Sequence, residues 1–471
     1  MIGFGTGGWR AEIGKDFTMN NVRMVGQALA QRILTEGVQQ CPVIIGYDRR
    51  FLSLEAARWL AEVLTFHGIT VWFMRRSVPT PLVMHTVKKQ HLAYGLEVTA
   101  SHNLPSYNGI KVIVKEGRDA PLECTHALEL ELDRLDTSKL SFLPFDEAVS
   151  QGLVVYLEHP FNDFLDDVLL LLDNAAIRQK GPRILFDTMH GSSTYPLMVI
   201  LYTNRCTVDL MHNDRDAYFG GMMPAPSETT LCDLRRKVVL GGYDLGIGID
   251  GDGDRLGVID SNGNYIDANS ILCLLYYYLH QYKGWHGPVV RNLATTHLLD
   301  RIAESFGEVC YEVPVGFKYI SSKIDEVDAV LGGESSGGLT VRGHIHGKDS
   351  VYASALFIEM LCVTEKSAGE LLSKLHQKFG SFIMETDNLT FNPTDKTRIQ
   401  QMIIIQRLLP DFGRAVAKTN YQDGCKVYFE DDSFVICRFS GTEPLLRIFA
   451  EASDSKTARG YIGAWRQMLK I

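Results

Sequence analysis

Directly behind the apolar run 245–249, Asp250, Asp252 and Asp254 alternate with Gly251 and Gly253. Three carboxylates this close repel one another, so a cation is their natural neutraliser. The glycines let the backbone curl until the oxygens converge. A β-type run ending in such a loop constrains the fold, because ligands of doubly wound α/β sheets gather beyond the carboxyl ends of parallel strands. The bland alternative is a solvated acidic turn. An EF-hand is poorly supported, since its glycine position falls on Arg255 and its terminal glutamate position on Ser261.

The same beat of strand and helix recurs three times. Residues 42–48 read as a strand, and a helix capped by Ser53 follows, with Leu54, Ala57, Leu60, Ala61 and Leu64 on one face. A strand at 70–74, a helix after Pro81 and a strand at 94–99 lead into Ser101. The second unit is strand 183–187, helix 195–202, strand 207–211, helix 230–240 and strand 245–249, ending at Asp250. The third runs through strand 288–290, helix 296–305, strand 308–313, helix 317–324 and strand 329–331, ending at Glu334. After a helical stretch at 353–375 the character changes to a hairpin, 425–430 with 434–439 about Asp431-Asp432, then a strand at 445–450 and a helix at 456–469. The expected architecture is three similar doubly wound α/β domains plus a smaller C-terminal α+β domain around a central cleft. Their expected limits are 1–148, 149–255, 256–384 and 385–471.

Each unit delivers one polar loop. The first is Ser101-His102-Asn103-Leu104-Pro105-Ser106-Tyr107-Asn108-Gly109, where a strand presents a hydroxyl on a rigid turn, a good way to expose a nucleophile. The second is the Asp-Gly loop ending in Arg255. In the third, Gly333-Glu334-Ser335-Ser336-Gly337-Gly338, a carboxylate and a hydroxyl at i and i+2 are spaced to grip adjacent sugar hydroxyls. The C-terminal domain adds Arg438-Phe439-Ser440-Gly441-Thr442-Glu443-Pro444 and Arg447, an anion cup of hydroxyls, backbone N–H groups and guanidinium forks. An aspartyl phosphotransferase of the haloacid-dehalogenase type also opens with an apolar strand and Asp-x-Asp. It wants Thr or Val where Asp254 stands and usually a helix next, whereas 256–260 reads as a strand.

Taken in order, the four loops resemble those of the α-D-phosphohexomutases, the phosphoglucomutase/phosphomannomutase family, and are most like a bacterial-type phosphoglucomutase. The resemblance runs from Gly3-Phe4-Gly5-Thr6 to Arg447. It implies a phosphoserine at Ser101, one Mg²⁺ held by Ser101, Asp250, Asp252 and Asp254, and His102, Lys111 and Arg255 beside the phosphate. His102 and Lys111 are the candidates for general acid and base. Glu334 and Ser336 would read sugar hydroxyls, with Lys318, His346 and Lys348 as further substrate contacts. Arg10 would be an anion contact, and Arg438, Ser440, Gly441, Thr442 and Arg447 would hold the phosphate that is not reacting. Family members usually carry Pro directly after the Asn of the first loop; here Leu104 stands there and Pro105 follows. The implied activity interconverts hexose 1-phosphate and hexose 6-phosphate, of glucose and also mannose, with a hexose 1,6-bisphosphate as intermediate and activator. Phosphoglucosamine mutase, phosphopentomutase and a non-catalytic phosphosugar-binding relative are the alternatives.

Composition excludes other classes. A chain of 471 residues exceeds one ordinary core, and 45% hydrophobic with 22% charged residues is globular. A net charge of -9 argues against nucleic acid or an anionic membrane as partner. The opening lacks a basic region followed by an apolar core, and nine scattered cysteines without a Cys-x-x-Cys pair read as thiols in a reducing compartment. A cytoplasmic monomer or homodimer acting on a small phosphosugar is expected.

Overall fold

The computed structural model describes residues 2–5, 8–136, 140–439 and 445–470. The chain forms three α/β domains and a C-terminal domain, and its internal contacts group into two compact units. Residues 1–271 and 331–369 make the first, residues 272–330 and 370–471 the second.

In the first unit the leading sheet is centred on Val43–Tyr47, which pairs in parallel with Val71–Phe73 and with Tyr94–Val98. Tyr107–Val114 and then Trp9–Glu12 extend it antiparallel on one side. The central strands are buried along their whole length, the pattern of a sheet covered on both faces, which explains their unbroken apolar runs. Helix Thr80–Lys89 packs so closely that a Cβ at Gly46 or Gly95 would lie 2.5 or 2.6 Å from Val83 or Val87. Helix Met19–Glu36 starts where Thr18 accepts from the Asn21 amide and stops at Gly37, in the left-handed region. Ser53 is helical and its hydroxyl donates to Asp48, so it does not cap its helix; Leu52 holds the cap position at φ 64°.

The second sheet of this unit orders Thr207–Met211, Arg183–Asp187, Leu245–Ile249, Leu256–Asp260 and Tyr265–Ile266. The first three are parallel and the last two return antiparallel, so Leu256–Asp260 is a strand, as expected. A hairpin of Leu331–Gly333 and Leu339–Val341 precedes helix Ser350–Thr364, whose N-terminal amides at Val351 and Tyr352 are capped by Asp349. The helical stretch expected over 353–375 is two helices, Ser350–Thr364 and Ala368–Phe379. Glu365, at φ 54°, ends the first.

The second unit holds parallel strands Val289–Asn292 and Cys310–Val313 and an antiparallel sheet in the order Ile383–Thr390, Leu445–Ala452, Phe434–Phe439, Cys425–Tyr428, Lys418–Asn420. Helix Ser455–Leu469 seals that sheet with a fully buried Trp465. Hydrogen-bonded ladders cross or adjoin three of the expected domain limits. Val154–Tyr156 joins the leading sheet beyond 148, Leu256–Asp260 pairs back across 255, and Ile383–Thr390 begins before 385.

A buried charged knot joins the two parts of this unit. Arg291 donates to Asp300 at 2.7 and 2.9 Å and to Glu312 at 2.6 Å. Lys426 donates to the same Glu312 oxygen at 2.6 Å, and Tyr428 also donates to Glu312. Burial pushes the Glu312 carboxyl up, but His297, Arg291 and Lys426 together outweigh it and hold the group well below the usual carboxylate range. A depressed folded value stabilises above the unfolded pKa of about 4.3, and that stabilisation is lost as pH falls through the folded value. Glu312→Gln is therefore expected to destabilise the protein by about 3 kcal/mol at pH 7 and to flatten the acid limb of denaturant midpoint against pH. An acid limb as steep as that of the wild type would contradict this account.

Candidate active site

Ser101 follows strand Tyr94–Val98, is fully buried and holds φ 51°, a left-handed backbone that costs a non-glycine residue about 1–3 kcal/mol. The surroundings impose it. The Ser101 amide donates to Thr99 Oγ1 at 2.8 Å, and that hydroxyl donates to Asp48 at 2.6 Å. One guanidinium then gathers the loop: Arg50 donates to the carbonyls of Ser101, Asn103, Leu104 and Tyr107 at 2.5, 2.6, 2.9 and 3.0 Å. Arg50 is itself fully buried against Asp48 at 3.4 Å, with the Phe219 ring centroid 4.9 Å from its Cζ. The Leu104 side chain is 50% exposed, so replacing the usual Pro leaves the loop's anchoring to its carbonyl.

The acidic loop closes onto this serine. Asp250 Oδ1 accepts from the amides of Asp254 and Arg255 at 2.9 and 3.0 Å, and Ser101 Oγ lies 3.1 Å from Asp250 Oδ2. Gly253, at φ 81°, is required, since a Cβ there would stand 2.3 Å from Ser193 Oγ. One oxygen from each of Asp250, Asp252 and Asp254 falls within 4.8 Å of the others, and all three residues are buried. Asp252 Oδ1 and Asp254 Oδ1 accept no hydrogen bond. Burial, then the charges of Asp252 and Asp254, push the Asp250 carboxyl well up. Buried oxygens without donors, in an all-oxygen set beside a serine hydroxyl, fit a hard divalent cation such as Mg²⁺.

Cations already crowd the far side. Lys111 Nζ is 2.6 Å from Asp252 and 2.7 Å from Asp254, and Lys348 Nζ is 2.7 Å from Asp254. Lys111 and Lys348 thus stand on the carboxylates. Arg255 Nε is 3.9 Å from Asp254, and Arg10 donates to Asn103 at 2.7 Å. His102 Nδ1 lies 3.3 Å from Ser101 Oγ; burial, then Arg255 and Arg10, hold its imidazole well below the ordinary value and so neutral.

The Glu334 loop packs on the same loop: the Leu256 amide donates to Gly337 O at 3.2 Å and the Ser350 amide to Gly253 O at 3.1 Å. Ser336 Oγ donates to Glu334 at 3.1 Å, so the expected i, i+2 pair converges. A Cβ at Gly338 would lie 2.2 Å from Lys348 Cδ. His346 is half-buried on the same stretch.

Three expected residues belong to the second unit. Lys318 is buried on the first turn of helix Phe317–Val327. Arg438 and Arg447 sit directly opposite on antiparallel strands, and Arg438 Nε donates to Asp423 at 3.1 Å. Ser440, Gly441 and Thr442 lie outside the described residues, as do Thr6 and Gly7.

Several residues that build the site carried no signal of their own in the motifs. Thr80 donates to Asp252 at 2.7 Å, and Ser192 donates to the Gly251 carbonyl through its amide at 3.0 Å. Glu97 is fully buried across from Lys111 in the ladder with neither oxygen hydrogen-bonded, and burial, then Asp48 and Asp252, push its carboxyl well up. Asp48 and Arg50 were the findable pair: charged residues just past the carboxyl end of a parallel strand.

Doubly wound domains here present a serine to a buried carboxylate triad, and comparison with known proteins names the family. Profiles of phosphoglucomutase/phosphomannomutase alpha/beta/alpha domains I, II and III match residues 1–139, 162–263 and 267–379, and the profile of the C-terminal domain matches residues 399–464. The chain belongs to the phosphoglucomutase/phosphomannomutase family of hexose phosphomutases. It is 26% identical over 459 residues to a phosphoglucomutase/phosphomannomutase of Thermococcus kodakarensis, covering 98% of this chain and 96% of that one. It is 27% identical to a phosphoglucosamine mutase of Fusobacterium nucleatum, covering 96% and 95%. A solved chain from Thermus thermophilus superposes with a TM-score of 0.86 at 26% identity, covering 100% and 99%. The open form of Paramecium parafusin shares the fold, with a TM-score of 0.82 at 20% identity over 99% and 94%.

The anchoring of the serine loop predicts that Arg50→Lys, which keeps the charge but loses the fork, speeds amide exchange across residues 101–107. The same change should lower stability by about 3 kcal/mol, because the remaining cation cannot satisfy four carbonyls and Asp48 together. Wild-type exchange rates in that peptide would refute the role.

Proposed function

We propose that the chain is a phosphoglucomutase acting also on mannose phosphate, with Ser101 as its phosphate carrier. The observation that carries this reading is the Ser101 hydroxyl, 3.1 Å from Asp250 in a buried triad with two unbonded carboxylate oxygens. Ser101, Asp250, Asp252 and Asp254 would hold one Mg²⁺, which when bound supplies positive charge to the oxygens of the transferring phosphoryl group. In the first half-reaction the bond from Ser101 Oγ to phosphorus breaks as one forms to a sugar hydroxyl, whose proton passes to a base of this chain. His102, neutral and beside Ser101, has a lone pair for that proton, while Lys111, held charged between Asp252 and Asp254, and Arg255 offset the phosphoryl charge. The hexose 1,6-bisphosphate then turns over and returns its other phosphate to Ser101, which is why a trace of bisphosphate is the expected activator.

Glu334 and Ser336 would bind the sugar hydroxyls, with Lys318, His346 and Lys348 in support, and Arg10, Arg438, Ser440, Gly441, Thr442 and Arg447 would bind the second phosphate. The preference for glucose over glucosamine rests on Gly338, since phosphoglucosamine mutases usually carry His there and any side chain at 338 would meet Lys348. The domain limits that fit this reading follow the sheets: after Tyr156, after Ile266 and before Ile383. No helix among the described residues is long and apolar enough to cross a membrane, and we place the enzyme in the cytoplasm as a monomer or homodimer.

With Mg²⁺ and a trace of glucose 1,6-bisphosphate, the purified protein is expected to isomerise glucose 1-phosphate fastest, mannose 1-phosphate next, and glucosamine and ribose 1-phosphates slowly. Ser101→Ala should lower turnover at least about 10⁴-fold, and chelation of the metal should abolish it reversibly. Fast turnover of glucosamine 1-phosphate would move the specificity and keep the chemistry. No turnover of any sugar by a protein carrying phosphate on Ser101 would leave a binding protein.

A further inference from the structure

A second cluster of metal-ligating side chains lies in the second unit, built from three elements apart from every residue assigned above. His280 is half-buried on the last turn of helix Ala268–Gln281. His286 is exposed in the loop before strand Val289–Asn292. Glu308 stands between helix Leu298–Ser305 and strand Cys310–Val313, its amide donating to Ala303 O at 2.9 Å. One donor atom from each falls within 4.8 Å of the others.

The cluster is held in place from outside. Phe306 stacks flat on His280, with ring centroids 3.7 Å apart and an interplanar angle of 6°, and the Tyr277 ring lies 5.5 Å from that of Phe306. Tyr276 donates to Gly287 O at 2.9 Å and the Trp285 amide donates to Leu279 O at 3.0 Å, so both neighbours of His286 are tied to the helix that carries His280. His280 Nε2 and His286 Nδ1 are 3.0 Å apart, with the rings nearly perpendicular. A cation at the usual Zn–N distance of about 2.0–2.1 Å from both nitrogens would subtend an angle of about 95°, within the range of cis ligands in a five-coordinate site.

We propose that His280, His286 and Glu308 form a metal site for a borderline transition cation, Zn²⁺ or Co²⁺, whose remaining positions are filled by water. Two imidazoles and one carboxylate favour such a cation over Mg²⁺, whereas the all-oxygen triad at Ser101 has the opposite preference. The bound ion would staple the end of the 268–281 helix to the turn that enters strand Cys310–Val313.

The test uses the full chain in excess Mg²⁺, titrated with Zn²⁺ by calorimetry and with Co²⁺ by its visible absorption. One Zn²⁺ per chain is expected, persisting in Asp252→Asn, with a Co²⁺ spectrum of four- or five-coordinate type. His286→Ala and Glu308→Gln should each weaken that binding at least about tenfold and leave mutase turnover unchanged. His286 is exposed, so its removal does not threaten folding. Absence of Zn²⁺ binding in the wild type, or undiminished binding in either variant, would overturn the site and leave a plain hydrogen bond between two imidazoles.

Discussion

Three buried carboxylates within reach of one another are the constraint to which the first unit answers. Left alone they would take up protons, as the raised Asp250 carboxyl already indicates. Lys111 comes from the leading sheet, Lys348 from the loop ahead of the capped helix, and Thr80 from the helix start, and all converge on Asp252 and Asp254. Such a cluster is poor evidence for stability and good evidence for a site, because a plain apolar core would be easier to fold. The strained Ser101 backbone belongs to the same arrangement: it delivers the hydroxyl to Asp250 because the Arg50 fork fixes the carbonyls around it.

Much of this was legible in the chain itself. The alternation of apolar strands with helices placed Ser101, Asp250 and Glu334 beyond strand ends, where the structure has them, because period and punctuation are local signals. What failed to show was of two kinds. Ser53 has the right residue type for a cap, yet Asp48 takes its hydroxyl, a competition between two chemically adequate partners that no pattern of residues decides. The Pro-bearing polar stretch near 140–150 gives no sign that Val154–Tyr156 joins the leading sheet, because an edge strand is recruited by a ladder distant in sequence. By residue pattern Lys111 looks like an ordinary strand residue, and the resemblance alone singled it out; the structure sets it opposite Glu97 and within reach of Asp252.

The second unit shows the same physics used for structure. Buried Arg291 and Lys426 share the half-buried Glu312, and Asp300 and Tyr428 complete their hydrogen bonds. Opposite charges there complete a closed network, and this contrasts with Arg438 and Arg447, placed face to face with like sign. Arginine serves in both places, so the distinction is one of register.

The serine loop is fastened through its carbonyl oxygens, and every amino acid brings the same one. Its shape is therefore uncoupled from most of its spelling: Leu104 can take the place of a proline and point into water while the turn stays as it is. A lineage could rewrite side chains of that turn that face water, as at Leu104, provided the single arginine far upstream were left alone. The most informative letter of the motif would then be one that lies outside it.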